Sequence, residues 1–367
     1  MSSFIIAFVI ALLVTLLVIR FSHLHAHITS DDQLTGIQKF HSTPTPRIGG
    51  LSILLGLVTS LIVRFFQNYD VGSYGLILLA SALPAFITGF WEDLTKNIRV
   101  STRLIATLAS ALIAGFFLGA WLQSLQIVGL DNLIGQYPAI SVFITCFAVA
   151  GVANSFNLID GYNGLSAAVG IIILTGLAYV AFQLGDYEIM TAAFAMMGAL
   201  LGFLVWNYPL GLIFLGDGGA YLLGFWIAEL SVLLAKRHQE VSKWFFLLLC
   251  FYPVFETLFT IYRRIVLHGS NPGMPDAAHL HHIIYKRLVR WAVGSDSPAD
   301  KVMRNSLTSP YLWVLTSMSV IPAVLFWRDH LILQIFSALF ALTYILLYRM
   351  LVKFNAPKWM TIRNNSN

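Results

Sequence analysis

Four acidic residues, Glu92, Asp93, Asp160 and Asp217, fall at the ends of long apolar runs. Carboxylates gathered at one lipid boundary would hold a hard divalent cation and the phosphates it neutralises. In NSFNLIDGYNGLS, Asn154, Asn157, Asp160 and Asn163 recur every three residues, so they share one side of a helical turn until Gly161 and Gly164 end it. Three amides and a carboxylate at the edge of a hydrocarbon layer are costly unless they bind something, although a polar seam between helices would read the same way. In IFLGDGGAYLLGF, Asp217 stands among Gly216, Gly218 and Gly219 at the head of an apolar run. There the main chain can approach a phosphate, and a helix N-terminus adds the positive end of its dipole. In GFWEDLTKNIRVSTRL the adjacent Glu92 and Asp93 repel, which raises one pKa or attracts a cation, and Lys96, Arg99 and Arg103 follow. A solvated pair of helix-end charges is the plainer alternative.

Three further segments are polar where the chain is otherwise apolar. The run DAAHLHHIIYKRL gathers His279, His281 and His282 beside Lys286 and Arg287. No Cys or second His-rich motif on that loop completes a zinc set, so phosphate or base recognition suits it better. KFHSTPTPRIGGL combines two stiffening prolines, Arg47 and the pair Gly49 and Gly50, and by itself reads as a rigid connector. Glu256, within FYPVFETLFTIYRRI, is an ionisable group at membrane depth: functional by default, unless an internal hydrogen bond satisfies it. Glu229 reads as structural.

These residues have to be positioned by membrane helices. The chain has 367 residues, 58% of them hydrophobic and 11% charged, which excludes a soluble domain of this size. Runs nearly free of charge match the bilayer core at roughly 4–20, 48–66, 74–91, 103–121, 138–156, 165–184, 189–208, 218–235, 244–262, 311–327 and 331–348. The fold class is therefore all-α: a single polytopic membrane domain of about eleven transmembrane helices, with room for a broken or re-entrant piece between Tyr208 and Gly219. The first span lacks a cleavage site and reads as a retained helix. Lys and Arg set the orientation. With the N-terminus outside, only Arg64, Lys236, Arg237, Lys243 and Arg328, of 22 basic residues, face outward, and the catalytic loops are cytoplasmic. The net charge of +5 is then a positive-inside signature and calls for no nucleic-acid partner. Cys146 and Cys250 fall within spans and read as buried thiols.

PTPRIGGL, the acidic pair, NSFNLIDGYNGL, IFLGDGG and HLHH, in that order, resemble the polyprenyl-phosphate N-acetylhexosamine-1-phosphate transferases, the superfamily of WecA and MraY, and the span count resembles the WecA type. The resemblance runs from about Lys39 to Lys286. It implies a bacterial inner-membrane enzyme that passes a sugar phosphate from a UDP-amino-sugar to a polyprenyl phosphate lipid such as undecaprenyl phosphate, releasing UMP and starting O-antigen or related glycan synthesis. It implies Mg²⁺, with Mn²⁺ as a substitute. It also implies Asp217 and Asp160 as metal ligands, and Glu92, Asp93 and Asp160 as catalytic groups. Lys96, Asn154, Asn157, Arg263, Arg264, His279, His281 and His282 would bind substrate. The short RRIVLHGSNPGMPDAAHLHH loop is similar to that of the amino-sugar enzymes and disfavours a muramoyl-pentapeptide substrate. Two positions depart from the family pattern: Glu92 replaces the first Asp of an Asp pair, and Asn163 replaces a second Asp. The resemblance leaves room for a homodimer. A transporter with the inner carboxylates as a cation path, and an inert scaffold, are the rival classes.

Overall fold

The structure, a computed structural model, describes residues 1–29, 45–267, 278–289 and 297–353. The helices are α1 Ser2–Arg20, α2 Ser22–Thr29, α3 Gly49–Gln67, α4 Tyr69–Thr95, α5 Val100–Leu118, α6 Leu130–Gln136, α7 Pro138–Ile159 and α8 Leu165–Gln183. They continue with α9 Tyr187–Asn207, α10 Gly216–Arg237, α11 Lys243–Leu249, α12 Phe251–Tyr262, α13 Leu280–Ile284, α14 Pro298–Leu325 and α15 His330–Val352. Among the described residues, ten helices are long and apolar enough to cross a bilayer, and α11 with α12 makes an eleventh span bent by 75°. The break in that span falls at Cys250, away from the Tyr208–Gly219 stretch, which is instead the turn between α9 and α10.

α10 is the axis of the bundle. Every residue of its apolar window is buried, and α3, α4, α7, α8 and α9 pack around it. An all-round apolar sequence such as AYLLGFWIAEL suits that place, because no face of the helix has to meet lipid headgroups or water. α1 shows the opposite pattern. It buries only Ser3, Ala7, Ala11 and Thr15, a four-residue repeat of small side chains that lets it lie close against α9 and α3, and it leaves Leu13 and Leu17 outward.

α14 begins well before the expected span, at Pro298, and runs through Pro310. Its first turns carry Arg304, Asn305, Ser306, Thr308 and Ser309, all buried. These polar groups face protein. Asn305 Oδ1 accepts the N–H of Asn163 at 2.7 Å, and the Ser309 hydroxyl donates to the Asn163 carbonyl at 2.6 Å. Hydropathy ends the span at Pro310 because polarity resembles a loop, whereas here it is the glue between α14 and the turn before α8.

Because successive spans are antiparallel, one end of the bundle collects the start of α3, the end of α4, the start of α5, the end of α7 and the start of α10. The candidate residues meet there.

Candidate active site

The site is built on the turn that opens α10. Gly216 has φ 78°, in the left-handed region, and a Cβ there would collide with the Arg47 carbonyl and the Asp93 carboxylate. The segment before α3 runs alongside this turn. Phe214 N–H donates to the Pro46 carbonyl at 2.8 Å, and Gly49 and Gly50 N–H donate to the Phe214 and Leu215 carbonyls at 3.0 and 2.8 Å. A Cβ on Gly50 would overlap the Gly219 backbone. The PRIGG segment is thus a wall of the site and more than a connector; the part of its motif from Lys39 to Pro44 lies outside the described residues.

The two aspartates on this turn do different work. Asp93, at the end of α4 and 1% exposed, accepts the N–H of Asp217 at 2.8 Å on one oxygen and the N–H of Gly218 at 2.9 Å on the other. It therefore caps α10 from another helix and satisfies two of the four N–H groups that a helix start leaves unpaired. Asp217 points the other way. Its two oxygens meet Arg47, at 3.4 Å, and Arg103. Arg47 also reaches Asp93, 3.8 Å away. Neither arginine stood among the site residues read from the sequence, where Lys96 was preferred. Lys96 closes α4 in the left-handed conformation and is exposed. A signal for Arg103 did exist, since it sits inside an apolar run at the first turn of a span, where an unpaired charge is costly.

Asp160 ends α7 and faces the same turn, where it accepts the Gly216 N–H and feels Arg47. Desolvation pushes its carboxyl up to about 7, against both of those influences. Glu92 is turned back on its own loop, with Oε2 accepting the Ile98 N–H at 2.6 Å. Asn154 accepts the Tyr221 hydroxyl at 3.1 Å, and Asn157 is half-buried one turn on. Asn163 knits α14 to the turn before α8, its backbone N–H donating to Asn305 and its side-chain amide to the Ser306 hydroxyl at 3.2 Å.

The histidine segment reaches this end from α13. Tyr162 lies against His281 and His282, with ring centroids at 5.5 and 5.9 Å, and a Cβ on Gly161 would stand 3.6 Å from His281 Nε2. The three imidazoles touch one another, and His279 and His281 stack at 5.1 Å. Burial and the neighbouring imidazoles hold His281 well below the ordinary histidine range, so its ring is neutral. Arg263 and Arg264 are buried on the wide turn that prolongs α12. Glu229, by contrast, lies deep within α10, and among the described residues neither of its oxygens has a hydrogen-bond partner.

Residues 75–235 match the family model described as glycosyl transferase family 4. A phospho-N-acetylmuramoyl-pentapeptide-transferase of Geobacillus sp. (strain WCH70) is 32% identical over 266 residues, covering 68% of this chain and 77% of that protein. The chain belongs to glycosyl transferase family 4. Within it the chain is similar to two kinds of relative. A probable undecaprenyl-phosphate N-acetylglucosaminyl 1-phosphate transferase of Bacillus subtilis (strain 168) is 29% identical over 252 residues, 67% of each chain. An undecaprenyl-phosphate alpha-N-acetylglucosaminyl 1-phosphate transferase of Yersinia pestis is 25% identical over 270 residues, 68% of each chain. The family match spans the acidic pair, Asp160 and Asp217, and ends before the histidine segment.

The donor set of the site suits Mg²⁺. That ion takes hard oxygen ligands, typically one or two carboxylates completed by substrate phosphates and water. Asp217 and Asp160 face one glycine turn and are such carboxylates. Among the described residues no three side chains of metal-binding type cluster closely enough to cage an ion on their own.

Proposed function

We propose that this family 4 enzyme transfers an N-acetylhexosamine-1-phosphate from a UDP-sugar to a polyprenyl phosphate of the undecaprenyl type. The observation that carries the reading is the meeting of Asp217, Asp160, Arg47 and Arg103 at the glycine turn of α10, at one end of a membrane bundle. A lipid phosphate oxygen attacks the β-phosphorus of the UDP-sugar. A new P–O bond forms, the bond from that phosphorus to the bridging oxygen breaks, and UMP leaves with the electron pair. Two unit anions about 4 Å apart repel by roughly 4 kcal/mol at an effective dielectric of about 20, so the site has to supply positive charge. Arg47 and Arg103 provide it, turning from Asp217 to the phosphates, and the positive end of the α10 dipole adds to it. Mg²⁺, held by Asp217 and Asp160, would supply further charge neutralisation at the diphosphate.

Asp93 has both oxygens engaged by backbone, and we assign it to holding the Asp217 turn and not to accepting a proton. A lipid phosphate is largely ionised near neutral pH and needs no strong base. The histidines with Arg263 and Arg264 suit the nucleotide end, Asn154 and Asn157 the sugar. We favour an N-acetylhexosamine over a muramoyl-pentapeptide on the short loop before the histidines, of which residues 268–277 lie outside the described residues. The product would start an O-antigen or related glycan, and the positive-inside bias supports a cytoplasmic site in a bacterial inner membrane. The test is UMP release by the purified protein. Release that requires the UDP-sugar, the lipid phosphate and Mg²⁺ together, and that chelation abolishes, is the expected result. Cation flux in vesicles without UMP release would favour the transporter.

A further inference from the structure

Glu256 lies on α12, beyond the residues of the family match, and is fully buried. Its Oε1 accepts the Leu280 N–H at 3.1 Å and lies 3.3 Å from His279 Nδ1, while Oε2 accepts the Tyr344 hydroxyl at 2.7 Å. Thr260, one turn along α12, brings its Oγ1 within 3.1 Å of the same Nδ1. Donors thus face the carboxylate from the entry of α13 and from α15, an arrangement that suits a group able only to accept. A carboxylate 3.3 Å away favours the proton on Nδ1 of His279, with the Thr260 hydroxyl accepting beside it, and this leaves Nε2 bare in the neutral ring. Tyr348, one turn after Tyr344, donates to the Ala278 carbonyl at 3.0 Å, so the last membrane helix grips the residue just before His279 as well.

We propose that Glu256 is a positioning residue for the histidine segment. It fixes the Nδ1–H tautomer of His279 and the entry of α13, and Tyr344 of the last membrane helix locks the carboxylate in place. The imidazole stack then passes that orientation from His279 to His281, beside the loop that bears Asp160. The effect on nucleotide binding rests on the transferase reading above; the tautomer does not.

The full-length protein labelled with ¹⁵N-histidine tests both parts, with the His279 signal assigned by its loss in His279→Gln. The parent should show a protonated Nδ1 and a bare Nε2 at His279. Glu256→Leu, which keeps the bulk and removes the acceptor, should give mixed tautomers and raise KM for the UDP-sugar by roughly tenfold or more with kcat within a few-fold. Glu256→Gln retains a neutral acceptor and should restore the Nδ1–H signal, with KM about fivefold above the parent. Where Glu256→Leu fails to fold, the KM of Glu256→Gln decides, and an unchanged value overturns the proposal. So does an Nε2–H tautomer in the parent, or a loss of thermal stability in Glu256→Leu with tautomer and KM unmoved. A parent that shows the Nδ1–H signature yet releases no UMP would sink the transferase reading and leave the positioning role standing.

Discussion

The two ends of α10 treat charge in opposite ways. At its C-terminal end, Arg237 meets Asp186 at 3.2 Å and Glu188 at 2.7 Å, and His238 meets Asp186 at 3.2 Å. The acids there stand at the start of α9, where Asp186 also caps the Ile189 N–H, and the bases stand at the end of α10. Each charge sits where the helix dipole favours it. At the N-terminal end the pattern reverses for most groups. Asp93 and Glu92 close α4, Asp160 closes α7, and Arg103 stands in the first turn of α5, all on ends whose dipole opposes them. Asp217 stands on the N-terminus of α10, whose dipole favours it, and Asp93 and Asp160 reach that same turn from helices whose own dipoles oppose them. One network pairs acid with base at favourable helix ends, while the other crowds three carboxylates onto one turn beside two arginines, and natural chains tolerate such local conflict mainly where function requires it. The sequence alone argued for a single polar face; the Asp186 cluster shows that the far end is polar too, but paired and closed.

Substitutions at the N-terminal end of α10 should therefore lower activity, and those at the other end stability alone. Asp217→Asn carries the largest expected effect. It keeps the shape and removes the charge, so transfer should fall by about 10² or more, which is several kcal/mol of transition-state stabilisation, with partial recovery at raised Mg²⁺ or with Mn²⁺. Initial rates of UMP release across a Mg²⁺ series check this. Asp93→Asn comes next. An amide has one acceptor oxygen where the carboxylate has two, so one buried N–H of the α10 turn loses its partner. A loss of about 1–3 kcal/mol in unfolding free energy should accompany a fall in activity. A proton-acceptor role would instead lower the rate with stability unchanged, and urea unfolding followed by tryptophan fluorescence tells the two apart. Glu92 should matter least. Its carboxylate holds the Ile98 N–H of its own loop, so Glu92→Gln should lower activity only a few-fold, by about 1 kcal/mol or less. A hundredfold loss in the same rate assay would return Glu92 to the chemistry.

Much of this architecture was legible in the residues, for identifiable reasons. Charge-free runs as long as a bilayer is thick mark the spans, and the described residues hold eleven once α11 and α12 are joined. The break at Cys250 was hidden because FFLLLCFYP is apolar on both sides of it, so hydropathy carries no mark of a bend. The early start of α14 was hidden for the opposite reason: its polar residues are buried against protein and read as loop. Within the site, the motifs named the carboxylates but not their directions. Asp93 and Asp217 look alike in sequence, yet one holds backbone and the other holds arginine. Arg47 and Arg103 lie 170 and 114 positions from Asp217, a pairing that only the packing of α3, α5 and α10 brings about.

Chemistry thus belongs to one end of α10, and the charges at the other end only stabilise. The most direct test is the rate of UMP release per folded molecule for Asp217→Asn and Asp186→Asn, prepared side by side in one detergent, with folded protein counted by its cooperative thermal transition. A loss of about 10² is expected for Asp217→Asn, and the parent rate for Asp186→Asn despite a destabilisation of about 1–3 kcal/mol from its broken ion pairs. Equal losses of rate in the two, or a parent rate in Asp217→Asn, would contradict it.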